Sequence, residues 1–162
     1  MDKRSDKDHL FDLVSGFDVA MLVTQGNTTI HSRPMAIARL DDEMCVYLVT
    51  DINSVKIDEI SINPSALLTF QAGRKYACVS GELSIVRERT LIELMWKETW
   101  KVWFPKGKSD PNIALLKFNA NEGEFWDNAG VQAIKYVYTA AKAYVGGEVM
   151  KTSREQHAKV TL

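Results

Sequence analysis

The sequence predicts a mainly β (α+β) fold, an antiparallel barrel of short strands with flanking helices. Three observations carry this. Five or six short, apolar, β-prone runs recur along the chain. Most are joined by connections of hairpin length, as antiparallel neighbours allow and parallel ones do not. The chain's 162 residues, 46% of them hydrophobic, suffice for one domain with a substantial core.

The elements follow in order. Asp8 to Val14 is amphipathic and ends at Gly16, the pattern of a short helix. Val19 to Gln25 is a strand, turned by Gly26-Asn27 into a second, Ile30 to Leu40. The acidic tip Asp41-Asp42-Glu43 leads to a third, Met44 to Thr50. Ser54 caps a helix that runs through Ile62 and stops at Asn63-Pro64. Ala66 to Gln71 is the fourth strand, and Gly73-Arg74-Lys75 turns it into the fifth, Tyr76 to Val86. One continuous helix is predicted from about Arg89 to Phe104, stopped by Pro105 and Gly107. Trp96, Trp100 and Trp103 recur along it at helical spacing, a stripe suited to core or dimer packing. Ile113 to Ala120 is the sixth strand, Gly123 to Asp127 a separate polar-aromatic segment, and Val131 to Tyr144 a helix. The domain is expected to span 1–147, with 148–162 a loose or disordered C-terminal tail after Gly146-Gly147.

Composition excludes several function classes. A net charge of -1 argues against general attraction to nucleic acid or to an anionic membrane. The polar start Met1-Asp2-Lys3-Arg4-Ser5-Asp6-Lys7-Asp8 is no secretory signal, and no apolar run spans a bilayer, so a cytoplasmic chain is expected. Cys45 and Cys78 lie in apolar strand runs and read as buried free thiols. The sequon Asn27-Thr28-Thr29 then reads as a turn. His9, His31 and His157 are far apart, without metal-ligand spacing to Cys, Asp or Glu, so no metal site is expected. G-x-S-x-G, P-loop and G-x-G-x-x-G motifs are absent, and no carboxylate pair stands out, so no catalytic residue is assigned. Any enzymatic chemistry would then come from a cofactor.

One constellation points to a ligand. If the second hairpin turns near Asp42-Glu43, Arg33 lies opposite the segment just after Thr50. That segment enters the helix at Asn53-Ser54-Val55-Lys56, so Arg33, Thr50, Ser54 and Lys56 converge. A guanidinium, an ammonium, two hydroxyls and a helix N-terminus together suit a phosphate. Taken singly, Ser54 is an N-cap, Lys56 a solvated helix residue and Arg33 a partner for a cross-strand acid.

Ser32-Arg33-Pro34-Met35, Tyr47-Leu48-Val49-Thr50, Ser54-x-Lys56, Asn63-Pro64 and Val79-Ser80-Gly81, in this order, resemble the pyridoxamine 5′-phosphate oxidase-like family. Trp103-Phe104-Pro105-x-Gly107, Asp110-Pro111 and Glu124-Phe125-Trp126-Asp127 are similar to its general stress protein 26 subgroup, and the resemblance runs from about Leu10 to Gly147. It implies a six-stranded split β-barrel of Greek-key topology, working as a homodimer with a flavin at the interface, FMN or alternatively FAD. It implies that Arg33 and Lys56 hold the flavin phosphate, and that Ser32 and Pro34 to Ala38, including Met35 and Ala36, run along the ring. Val49 and Thr50 match a flavin-contacting pair, Ser54 and Val55 the helix start, and Trp126 an aromatic that the partner subunit brings to the ring. Packing remains the alternative for Met35 and Trp126, and flavin stacking for the tryptophan stripe.

The departures matter equally. The true oxidases carry a C-terminal Arg-x-His motif, whereas after Trp126 this chain has no arginine until Arg154. Tyr76 stands where they have glutamine, and Ala38 where they have a substrate-touching lysine. Vitamin B6 oxidation is therefore not implied. What remains is an FMN-dependent oxidoreductase with an unassigned small-molecule redox partner, or a non-catalytic flavin-binding or flavin-storing stress protein.

Overall fold

The computed structural model describes residues 5–147, 149–151 and 156–162. Strands β1 (Val19–Gln25), β2 (Ile30–Leu40), β3 (Cys45–Asp51), β4 (Ser65–Ala72), β5 (Lys75–Val86), β6 (Ile113–Asp127) and β7 (His157–Thr161) form one antiparallel sheet. Its order is β3-β2-β1-β4-β5-β6-β7, and β3 also pairs with β6. That pairing closes β1 to β6 into the expected six-stranded barrel, with β7 as an extra strand. Helices α1 (Asp6–Ser15), α2 (Val55–Ile62), α3 (Arg89–Met95) and α4 (Val131–Gly146) flank it.

Alternation along the strands fills the barrel. Ala20, Leu22 and Thr24 of β1 point inward, and their neighbours Val19 and Met21 outward. The interior holds Leu22, Met44, Leu48, Leu68, Phe118 and Phe125. α1 starts with a capping box, in which Ser5 Oγ accepts from the Asp8 N–H at 3.0 Å, and lays Leu10, Leu13 and Val14 on the barrel. A second core lies outside the barrel, where Val49, Ile113 and Leu115 meet Ile92, Met95, Trp100 and Phe104. This explains the continuous apolar run Ile113-Ala114-Leu115-Leu116, which is buried on both faces.

Three expectations are corrected. The segment from Arg89 to Phe104 is not one helix. α3 ends at Met95, Trp96 and Lys97 are extended, and a 3₁₀ turn, Glu98–Val102, follows. The break lets the Lys97 ammonium donate to the Ile37 carbonyl at 3.0 Å, beside the shift in β2–β3 register. It also scatters the tryptophan stripe: Trp100 is buried, its ring edge-on to Trp96, while Trp103 is exposed.

Ile113 to Ala120 and Gly123 to Asp127 are one strand interrupted by a bulge. Ser80 pairs with Glu122 but Gly81 with Ala120, so Asn121 is the extra residue. Its carbonyl accepts from the Leu162 N–H at 2.9 Å. Finally, the tail is not loose where it is described. β7 pairs with β6 from Glu122 to Trp126 and buries Ala158 and Val160. Met1 to Arg4 and Arg154 lie outside the described residues. Among the described residues no helix is long and apolar enough to cross a membrane. Cys45 and Cys78 are both free, the first buried and the second only half-buried.

The bulge demands Gly81. A Cβ there would stand 2.1 Å from the Asn119 carbonyl oxygen, a backbone atom that cannot swing aside. Gly81→Ala is expected to destabilise the fold by about 2–3 kcal/mol, read as a lowered midpoint of denaturant unfolding.

Candidate functional site

The site lies where the barrel wall parts. β2 and β3 pair at Leu40–Val46, Arg39–Tyr47 and Ile37–Leu48, and there the ladder stops, so Arg33 pairs with Leu22 of β1 and not, as expected, with the segment after Thr50. β3 continues to Asp51 against β6, and β2 runs from Ile30 to Ala36 against β1. The facing segments diverge and enclose an open cavity of about 500 Å³ lined by Pro34, Met35, Ala36, Val49, Thr50, Asp51, Lys56, Trp103 and Phe104. One end is apolar and aromatic, and the other carries Thr50 and Lys56.

The polar end is organised around the start of α2. Ser54 occupies the N-cap position with extended backbone, yet its hydroxyl caps no helix N–H. It accepts instead from the Lys56 ammonium at 3.0 Å. Lys56 also donates to the Thr50 hydroxyl at 3.1 Å, and the two hydroxyls stand 3.3 Å apart. Three of the four residues expected to converge here, Thr50, Ser54 and Lys56, do meet. Burial pushes the Lys56 pKa down, and the nearby Arg33 charge adds to the effect, only partly offset by Asp51 and Glu59. Arg33 stands beside this group, tied to Glu59 one helical turn beyond Lys56.

The acidic partner of Arg33 is on a helix and not on a neighbouring strand. Arg33 Nη2 donates to Glu59 Oε2 at 2.8 Å, and its Nη1 donates to the Thr24 hydroxyl. Thr24 donates in turn to the same Glu59 oxygen at 2.6 Å, and His31 Nδ1 lies 2.5 Å from the other. The register explains the cluster, because Thr24 pairs with His31 and Leu22 with Arg33, while Glu59 reaches in from α2. Burial raises the Glu59 pKa, but the hydrogen bonds from Thr24, His31 and Arg33 and the Arg33 charge outweigh it and hold the pKa down at about 2.

Other expected residues are dispersed. Ser32 is exposed on β2 and Val55 on α2, and neither lines the cavity; Arg33 and Ser54 stand next to lining residues without lining it themselves. Trp126 sits at the far end of β6 from Ala114, the partner of Thr50. Its ring stacks on His157 with centroids 5.0 Å apart and planes at 9°, so within one chain it does not reach the cavity. Asp51, Phe104, Thr24 and Glu59 were not expected here, and Trp103 was expected beside a flavin only as the alternative to packing. An inward threonine at position 24 of an alternating strand was the one sequence signal for the buried cluster. Trp103 enters only because the helix breaks.

A family model described as pyridoxamine 5′-phosphate oxidase like matches residues 5–151. The chain belongs to this pyridoxamine 5′-phosphate oxidase-like family. Among solved structures, one described as general stress protein 26 of Jannaschia sp. CCS1 is 24% identical, with a TM-score of 0.72, covering 95% of this chain and 96% of that one. The general stress protein 26 of Bacillus anthracis is 27% identical, with a TM-score of 0.66, covering 74% and 92%. A general stress FMN/FAD binding protein of Xanthomonas citri is 22% identical, with a TM-score of 0.65, covering 74% and 87%. No functionally curated protein sequence matches. In this family member, a cavity at the barrel split joins apolar walls to a cationic, hydroxyl-rich end, a donor set that fits a phosphorylated planar cofactor.

The sign of the Glu59 shift sets an acid limit. A carboxyl held below its ordinary 4.5 stabilises the fold fully above that pH, and the contribution is lost as pH falls towards 2. Between those values the unfolding midpoint is expected to drop, and Glu59→Gln is expected to flatten that part of the profile.

Proposed function

We propose that this chain is an FMN-binding protein in which Lys56, Thr50, Ser54 and Arg33 hold the phosphate. The single observation that carries this is the convergence of the ammonium and two hydroxyls at one end of the cavity, beside Arg33. Lys56 gives up solvation next to a like charge, and a phosphate dianion would offset that cost. Pro34, Ala36 and the margins of the buried Met35 and Val49 offer an apolar lining for a flavin ring, with Trp103 and Phe104 at its side. FAD has the same phosphate chemistry and is the alternative ligand. The name of the Xanthomonas citri neighbour, an FMN/FAD binding protein, supports the reading.

When bound, the flavin would supply hydride transfer, making the protein an FMN-dependent oxidoreductase. The chain's own residues would bind the phosphate, orient the ring and exclude water along its apolar face. A second reading, flavin binding or storage without turnover, draws on the lining itself. Its titratable groups are Lys56, which the phosphate engages, and Asp51, whose carboxylate accepts from the Asn53 N–H at 2.8 Å. That leaves no evident proton donor for a substrate.

The same reading takes two copies of the chain, with the flavin between them and Trp126 of the second copy brought to the ring. The outer sheet face beside the cavity supports this, since Val19 and Met21 stand exposed and Met21 is paired with Pro34. A cytoplasmic location belongs to the reading too, consistent with two free thiols.

Flavin fluorescence titration tests the cradle. Arg33→Ala with Lys56→Ala is expected to weaken FMN binding about 100-fold, on the order of 3 kcal/mol and less than additive. Unchanged titration curves would reject the assignment. NADH or NADPH turnover with a quinone separates the two readings: steady turnover supports the oxidoreductase, and bound flavin that no nicotinamide or deazaflavin donor reduces supports storage.

A further inference from the structure

Glu59 has no place in the cradle as described, yet it is buried and lies three residues after Lys56 on α2. A carboxylate beside a phosphate site repels the ligand, so its presence there calls for a compensating role. Its geometry supplies one. Both oxygens are engaged, Oε2 by Thr24 and Arg33 and Oε1 by His31. The contacts on Arg33 come from two sides, with Nη2 anchored on Glu59 and Nη1 on Thr24. A guanidinium is planar, with its donors in a fixed fork, so two anchored nitrogens fix the plane and the direction of the rest. Thr24 bonds to both partners and links β1, β2 and α2 in one small network.

We propose that Glu59, together with Thr24, is a positioning residue that holds the Arg33 guanidinium in the orientation used for the cofactor phosphate. This rests on the phosphate reading above. An unanchored arginine would have to be ordered on binding, at an entropic cost that weakens the complex. The anchor removes that cost beforehand at the expense of some electrostatic attraction. Glu59 also sits within reach of the Lys56 charge and partly offsets the repulsion between the two cations.

The sign of one substitution decides the matter. If Glu59 acts only as a local negative charge, Glu59→Gln leaves the site more positive and FMN binds more tightly. If it positions Arg33, the same change weakens FMN. The test titrates FMN and riboflavin, which lacks the phosphate, into the full-length wild type, Glu59→Gln and Thr24→Val by fluorescence at constant pH and salt. Glu59→Gln is expected to weaken FMN by about tenfold or more, with riboflavin affinity changed less than about twofold. Thr24→Val carries no charge change and is expected to weaken FMN by about three- to tenfold, again sparing riboflavin. FMN binding that tightens or stays level in Glu59→Gln overturns the proposal, as does an equal loss for both flavins. Should Glu59→Gln fail to fold, Thr24→Val alone decides by the same criteria. Wild-type protein that binds riboflavin as tightly as FMN is a different result, because it refutes the phosphate cradle itself.

Discussion

A strand has two edges, and the way β3 uses them governs this molecule. One edge is committed to β6 along its whole length, Cys45 to Asp51, and this seals the barrel. The other meets β2 only as far as Ile37–Leu48. The same chain segment is therefore a structural stave below that point and one lip of a cavity above it. Its position cannot relax, because Val49 and Thr50 stay fixed by Leu115 and Ala114 on the far side. The second core of Ile92, Met95, Trp100 and Phe104 presses on that strand from outside. The opening is thus held by closure of the rest of the sheet.

At the polar end, two cations are treated differently. Among the described residues Lys56 bonds only to neutral hydroxyls, and burial, with the Arg33 charge nearby, makes its proton held less firmly than usual. Arg33 is held by a carboxylate and a hydroxyl, so its charge is partly compensated and its plane fixed. An anion entering here would meet one cation with unmet electrostatic demand and one with a set direction. The apolar walls beyond them favour a ligand with a charged tail and a flat, uncharged body.

Much of the fold was legible because the β periodicity was locally unambiguous. The boundaries of β1 and β2 match the apolar runs, and the register near Asp42-Glu43 follows from the turn. The misreadings share a cause: each depended on a contact from elsewhere in the chain. Trp96 and Lys97 fit a helix pattern but are extended, and Lys97 bonds to the distant Ile37 carbonyl. The break read between Ala120 and Gly123 is real, but it is a bulge within one strand. His157-Ala158-Lys159-Val160-Thr161 alternates as a strand should, yet five residues acquire that meaning only beside β6 and α1.

The sequence by itself determined the class of fold, its first five strands and the meeting of Thr50, Ser54 and Lys56. Those follow from periodicity, turn chemistry and the short chain distance from Thr50 to Lys56. Only the tertiary structure decided where β2 leaves β3, that Ser54 serves Lys56 and not the helix, and that Arg33 is bound to Glu59. These are outcomes of competition for hydrogen-bond partners among groups distant in sequence, and local pattern carries no information about which competitor wins.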